Sequence, residues 1–377
     1  MDFELADDQT MLREGLRALL DGACPPSRVR SVAFEGSGAD PELWSTLSAS
    51  GWPALNVPEQ AGGAGLGFEE LMLVAMETGR AALHVPLVTT LLAARAIAAA
   101  PGSTFRDDML RQIAEGIATV TLSVRGDPGD YNGEREPVQA VVTASGWSLH
   151  GTLHDVPYGP AAHTVLAEVS TASGPALALL PTDDAGAEWT DLGVMDRATP
   201  RFRAGLRNVS VPPEAVLYGE ASAANAVAEL TDEYRAALAA ESQGASERML
   251  EMAVQYAKDR EQFGRPIGSN QAVKVRIAQM GAAVERMRAA VYFAAMQLQQ
   301  QGAERHRAVA MAKAATAAPA AFVGSQAIHV HGAIGFTWEH DLHFWVKRVK
   351  SNELLLGAEA EHLARLADEL FGPVAGK

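Results

Sequence analysis

The stretch Tyr256-Ala-Lys-Asp-Arg-Glu-Gln-Phe-Gly-Arg-Pro-Ile-Gly-Ser-Asn-Gln-Ala-Val273 decides how the chain is organised. It reads as the end of one long helix, a tight turn and the start of another. Upstream, Ala236 to Lys258 is rich in Ala, Leu, Met and Glu and has few breakers, a composition that favours helix. Gly264-Arg-Pro-Ile-Gly268 cannot continue it, because proline lacks an N–H and glycine loses the most backbone entropy on ordering. Downstream, Gln271 to about Gln301 predicts a second long helix and Arg305 to about Gly332 a third. A last helix is expected from near Thr337 to Leu370, bent at Gly357. Long helices joined by short links pack as an antiparallel bundle.

Working outward, the period of the sequence changes before this bundle. Thr119–Val124, Val138–Thr143, Trp147–Leu153, Thr164–Val169 and Ala176–Pro181 are short β-type runs punctuated by Pro, Gly and Asp, the pattern of an all-β unit. Pro212-Pro213 closes that unit. Before it, the chain is helical again. Leu16, Leu19 and Leu20 fall at helical spacing, and Pro41 opens a helix from its first turn. From Phe68 to Arg80, Leu71, Val74, Ala75 and Thr78 share one side. The run Ala61-Gly-Gly-Ala-Gly-Leu-Gly67 has no strand before it and no Gly-Lys-Ser/Thr after it, so it reads as a connection between helices, not a phosphate cradle. The expected fold is mostly α with a middle β-domain. It comprises an N-terminal helical domain over 1–117, a small β-domain over 118–220 and a C-terminal four-helix bundle over 221–377. Nothing alternates as βαβ, so a Rossmann fold is not expected.

Composition narrows the function. Of 377 residues, 31 are Lys or Arg and 46 are Asp or Glu, for a net charge of −15. Nucleic-acid binding needs a basic face that displaces counterions, and docking on an anionic membrane needs the same sign; neither is expected. A hydrophobic content of 48% allows large cores. The single cysteine, Cys24, rules out a disulfide within the chain and disfavours a thiolate metal site. The opening Met-Asp-Phe-Glu-Leu-Ala-Asp-Asp-Gln is acidic and lacks the pattern of a signal peptide. Ala81–Ala100 is interrupted by His84, Pro86 and Arg95, and does not read as a membrane span. A cytoplasmic location is expected.

Two stretches carry a resemblance. The opening one and His329-Val-His-Gly-Ala-Ile-Gly-Phe-Thr-Trp-Glu-His-Asp-Leu-His343 resemble signatures of the acyl-CoA dehydrogenase family. Gly51-Trp-Pro-Ala-Leu-Asn-Val-Pro-Glu-Gln and the glycine-rich run after it look like that family's N-terminal loop. The likeness spans nearly the whole chain. It implies FAD as cofactor, an acyl-CoA thioester as substrate and an electron-transfer flavoprotein as acceptor. The family's reaction moves a proton from the α-carbon to a carboxylate and a hydride from the β-carbon to the flavin. That chemistry needs donors at the thioester oxygen, a desolvated carboxylate and a flavin flat against the substrate. By resemblance, Arg260 meets the diphosphate of an FAD bound to a neighbouring subunit. Phe263 lies beside the adenine end, Gln271 hydrogen-bonds the cofactor, and Gly332 and Ala333 stand where backbone approaches it closely. His329 stands where the family often has glutamine.

Other family features are missing. The loop that serves the flavin ring is replaced by Ser123-Val-Arg-Gly-Asp-Pro-Gly-Asp130, and the element that covers the ring by Asp155-Val-Pro157. The family's two places for the catalytic glutamate fall on Leu356 and Tyr234, and neither is a carboxylate. Glu233 points about 100° away from the Tyr234 direction on a helix. Glu241 returns to the same face about 10 Å along, and is either a base or a structural carboxylate. His331, His340 and His343 read as packing residues and not as metal ligands. The pattern suggests a subunit that works with a homologous partner chain supplying the base. Two alternatives stand beside it: a self-sufficient homomeric dehydrogenase using Glu241, and a non-oxidative acyl-CoA-binding or structural protein. Bulky acyl-CoA esters, including steroid side-chain thioesters, are a substrate suggestion by resemblance.

Overall fold

A computed structural model describes residues 5–35, 40–125, 135–218, 220–300 and 302–372. Six helices come first: α1 (Asp7–Ala23), α2 (Pro26–Glu35), α3 (Pro41–Ala49), α4 (Phe68–Ala81), α5 (Leu87–Ala99) and α6 (Thr104–Ala114). Seven strands follow: β1 (Val120–Ser123), β2 (Val138–Thr143), β3 (Gly146–Pro157), β4 (Thr164–Thr171), β5 (Gly174–Pro181), β6 (Ala187–Asp191) and β7 (Arg201–Val211). The rest is helical apart from one small hairpin: α7 (Glu220–Asp259), β8 (Glu261–Gln262), β9 (Arg265–Pro266), α8 (Gln271–Gln297), α9 (Ala303–His331), α10 (Leu342–Leu354) and α11 (Glu359–Phe371). The fold class is therefore the expected one, with helices before and after a β-sheet segment in sequence. Most of the Ser123–Asp130 replacement lies outside the described residues.

The described residues gather into two compact units, each discontinuous in sequence. One holds residues 31–71 and 84–234. Its seven strands form one sheet in the order β1-β4-β2-β3-β7-β6, with β5 paired along β4. β4 is buried over six consecutive residues, as in a strand covered on both faces, and the one charge among them, Glu168, is paired with Arg125 at 2.7 Å. β3 runs antiparallel to β7 with irregularities between Leu149 and Gly151 and between Leu153 and Val156. β6 and β7 have no counterpart among the expected strands. Arg201, Arg203, Arg207 and Asn208 obscure the apolar alternation of β7, although Arg201, Ala204, Leu206, Val209 and Val211 are buried.

The other unit is built from residues up to Arg30, Met72–Leu83 and residues from Arg235 onward. Two glycines set its central crossing. A Cβ on Gly244 would stand 1.8 Å from the Met76 carbonyl oxygen, and one on Gly79 would stand 2.0 Å from that of Glu241. The α4 and α7 backbones therefore touch, which only glycine permits. Around the crossing, Arg17 joins buried Glu77 at 2.6 Å and Glu247 at 3.0 Å, and Arg288 reaches Glu247 at 2.9 Å. α10 closes the C-terminal end of α4: Trp345 Nε1 donates to Arg80 O at 2.8 Å and Arg348 Nη2 to Leu83 O at 2.9 Å. The first satisfies a last-turn carbonyl that a helix end leaves unpaired, and the second a carbonyl of the chain just beyond the helix.

Two expectations change in this unit. The helix expected from Thr337 to Leu370 does not bend at Gly357 but ends, and a new one starts at Glu359. Leu356 has φ +55° and Gly357 φ +105°, so the chain leaves the right-handed helix there. Lys313 holds the break by donating to the carbonyls of Asn352 at 2.6 Å and Leu355 at 2.8 Å. The expected four helices thus become three long ones and two short ones. α9 is the core helix, and Glu304–Phe336 is long and apolar enough to cross a membrane, yet most of its apolar window is buried in the protein. Between residues 308 and 331 its only Asp, Glu, Lys or Arg is buried Lys313. The exposed positions of that stretch, among them Met311, Ala318, Phe322 and Ser325, include no Asp, Glu, Lys or Arg.

Candidate cofactor-binding site

The two signature stretches meet at one end of the bundle. α7 ends at Asp259, and the β8–β9 hairpin follows. Its turn residues Phe263 and Gly264 have φ +55° and +75°, a backbone that costs a non-glycine residue about 1–2 kcal/mol. The strained Phe263 side chain is fully exposed. Ile267 N donates to Arg260 O at 2.8 Å and closes the turn. Asn270 then caps α8 by accepting from Ala272 N at 3.0 Å, so Gln271 opens that helix. From the other stretch, His331 at the end of α9 packs its ring 4.6 Å from that of Tyr256, one turn before Arg260. Arg276 on α8 also hydrogen-bonds Gln326 on α9.

Every residue proposed from the resemblance to hold a cofactor at this end has an outward position. Arg260, Phe263, Gln271, His329, Gly332 and Ala333 are all exposed. Among the described residues, the polar side chains of Arg260, Gln271 and His329 make no hydrogen bond or ion pair. Gly332 has φ +66° and open space where a Cβ would stand. An unpaired guanidinium, two further polar groups, an exposed ring and an open glycine fit an anionic diphosphate carrying an aromatic base. Glu241 lies on α7, 18 residues before the helix's last residue Asp259, about 27 Å along its axis, and is not part of this cluster.

The histidines nearby are packed. His331 Nδ1 donates to Ala327 O at 2.7 Å, and its ring lies 4.5 Å from that of His340. Burial lowers the pKa of both rings. Burial, then the Lys347 and Arg30 charges, pushes His343 down to about 4. Among the described residues no three His, Cys, Asp or Glu side chains converge as a metal site would require.

The base positions look different. Arg235, the residue after Tyr234, is buried and donates Nε to Leu356 O at 2.9 Å. His362 Nε2 donates to Gly357 O at 3.1 Å. With Lys313, these groups occupy the carbonyls of the segment where the family carries one of its glutamates. Tyr234 is buried beside Arg201, which also approaches Asp155 Oδ1 at 3.5 Å. Glu233 is held by two nitrogens of Arg95, at 2.9 and 2.8 Å. Glu241 accepts from Asn352 Nδ2 at 3.2 Å and Thr78 Oγ1 at 3.5 Å, with Arg348 Nη1 at 3.9 Å. Its carboxylate ties α4, α7 and α10 together. Sequence reasoning missed these partners. Arg348 and Asn352, four apart on one helix face, were the only local signal.

The helical–β–helical order with an exposed cluster of polar, aromatic and glycine residues at one end of the bundle narrows the class, and comparison with known proteins gives its family. Residues 6–117 match the family model for the acyl-CoA dehydrogenase N-terminal domain and residues 224–371 that for its C-terminal domain. The chain belongs to the acyl-CoA dehydrogenase family. It is 30% identical to acyl-CoA dehydrogenase IpdE2 of Mycolicibacterium smegmatis, over 97% of this chain and 100% of that protein. Acyl-CoA dehydrogenase FadE27 of Mycobacterium tuberculosis is also 30% identical, over 98% and 99%. Among solved structures, the ChsE4–ChsE5 complex from Mycobacterium tuberculosis aligns with TM-score 0.89 and 29% identity over the whole of both chains. A variant of the Tcur3481–Tcur3483 steroid ACAD aligns with TM-score 0.85 and 30% identity, over 96% of this chain and 97% of that one.

Proposed function

We propose that this chain is one subunit of an FAD-dependent acyl-CoA dehydrogenase. It supplies contacts to the diphosphate and adenosine half of the cofactor, and a homologous partner chain supplies the base and the flavin-facing loop. The observation that carries this reading is an asymmetry. The polar groups at the Arg260 end are unpaired, whereas Leu356 and Tyr234 offer no carboxylate and Glu233 and Glu241 are already engaged. FAD, when bound, would accept the substrate's β-hydride. Arg260 would neutralise its diphosphate, Phe263 would cover its adenine end, and Gln271 and His329 would hydrogen-bond it. Gly332 and Ala333 would let it approach the backbone.

Two similar structures are named as two-component proteins, which supports a partner chain. The uncharged outer face of α9 supports it independently, since an apolar helix face is ordinarily covered. The substrate class is an acyl-CoA thioester, and the steroid enzyme among the similar structures favours a bulky acyl group. An electron-transfer flavoprotein would take the electrons, in the cytoplasm. The self-sufficient alternative needs Glu241 released from Asn352, Thr78 and Arg348.

FAD stoichiometry tests the reading. Arg260→Ala should weaken FAD retention by roughly tenfold to a hundredfold, since a charge-assisted contact contributes about 1.5–3 kcal/mol. Unchanged FAD content, both in the chain alone and in the complex with its partner, would remove the basis of the assignment.

A further inference from the structure

We propose that Arg30 is a positioning residue for the Gly332–Asp341 loop, holding it in the shape that receives the diphosphate–adenosine half of FAD. This rests on the cofactor reading above. The loop has little regular structure to fix it. It leaves α9 at Gly332 with positive φ and passes through a single 3₁₀ run, Gly332–Phe336, before α10 starts at Leu342. Short 3₁₀ runs have poorer hydrogen-bond geometry than α-helix, so the loop's shape depends on side chains.

Arg30 supplies them from α2, more than three hundred residues earlier in sequence. Its Nη1 donates to Trp338 O at 2.5 Å, and Nη2 to Asp341 Oδ1 at 2.6 Å and Glu339 O at 3.4 Å. Nε donates to Asp341 Oδ1 at 3.2 Å. The guanidinium also sits 5.4 Å from the centre of the Phe344 ring. One planar fork thus holds two backbone carbonyls and a carboxylate at once, a geometry lysine cannot reproduce. The loop's other end is held by His331, donating to Ala327 O and packed between Tyr256 and His340. Between these anchors, Ala333, Ile334 and Phe336 face outward. A loop fixed at both ends, with its middle presented to the outside, suits binding that must not pay for ordering the site at the moment of association.

The test compares Arg30→Met and Arg30→Lys in the full chain, alone and with the homologous partner. FAD affinity is read from flavin fluorescence, and loop order from hydrogen exchange of the peptide spanning residues 332–341. Arg30→Met should raise the FAD dissociation constant roughly tenfold and speed exchange in that peptide while the α8 and α9 peptides stay protected. Arg30→Lys should fall between, keeping Asp341 but not the carbonyls. If Arg30→Met does not fold, Asp341→Asn carries the same expectation, because it keeps the side-chain shape and loses the charge. Faster loop exchange with unchanged FAD affinity would overturn the proposal, as would no change in either. Arg260→Ala separates the two levels. If it weakens FAD binding and Arg30→Met does not, positioning fails alone; if neither variant weakens it, the cofactor reading has failed.

Discussion

Removing the charge of Glu241 should cost stability and spare turnover. The carboxylate accepts from Asn352 and Thr78 and faces Arg348, whose side chain is 2% exposed. Stripping one partner from a fully buried ion pair costs about 3–5 kcal/mol. Here the separation is 3.9 Å, the Glu241 side chain is 15% exposed, and Arg348 keeps its bond to Leu83 O. Glu241→Gln should therefore cost less, about 1–2 kcal/mol. Glu241→Leu also loses the hydrogen bonds from Asn352 and Thr78, and should cost about 3 kcal/mol. Urea unfolding gives the stability, and acyl-CoA-dependent dye reduction by the assembled, flavin-loaded enzyme gives the activity. Turnover of Glu241→Gln should stay within roughly tenfold, about 1.4 kcal/mol of barrier. A general base replaced this way loses roughly 10²-fold or more. Collapse of turnover at unchanged stability and flavin content would refute the structural assignment and restore the self-sufficient alternative. Tyr234→Phe measures any part played by the phenol at the neighbouring position.

Gly244→Ala should destabilise the helical unit by about 3 kcal/mol or more, because its Cβ would overlap the Met76 carbonyl oxygen, and thermal unfolding would show it. A variant as stable as the parent would mean that α4 and α7 do not touch there. His362 gives a pH dependence. Burial first, then the charges of Lys313, Arg235 and Arg365, pushes it down to about 3, against about 6.5 in the unfolded chain. The unfolded state therefore binds the proton first as pH falls. The neutral ring's contribution is complete above about pH 6.5 and is lost progressively down to about pH 3, amounting to several kcal/mol. His362→Gln keeps a donor for Gly357 O and cannot titrate, so its stability should fall less steeply over that window; parallel profiles would exclude His362 as the source.

What was legible in the sequence was local. The Gly-Arg-Pro-Ile-Gly turn announces itself because glycine and proline fix backbone conformation wherever they occur. The long Ala- and Leu-rich helices on either side follow from the same kind of signal. The α10–α11 break was not legible in the same way. A leucine in left-handed conformation at 356 is held there by Lys313, Arg235 and His362, donors from three other helices that no local pattern connects. β7 hid for a related reason, since the buried Arg201 at its start looks in sequence like a solvated residue. At the site, the residues proposed to face the cofactor could be put forward from sequence because they sit inside two continuous stretches. The engagement of Glu241 could not, because Arg348 and Asn352 approach it from more than a hundred residues away. The Arg30 clamp was hidden by a still longer separation.

In the proposed division of roles, this chain holds part of the cofactor and its homologous partner supplies the base. The most direct test is the visible flavin spectrum under anaerobic conditions, recorded as an acyl-CoA thioester is added. It is measured for the chain alone supplied with FAD and for the chain assembled with its homologous partner. Thioester-dependent bleaching of the flavin band is expected in the assembly and none in the chain alone. Bleaching by the chain alone, at a rate comparable to the assembly's, would contradict that division.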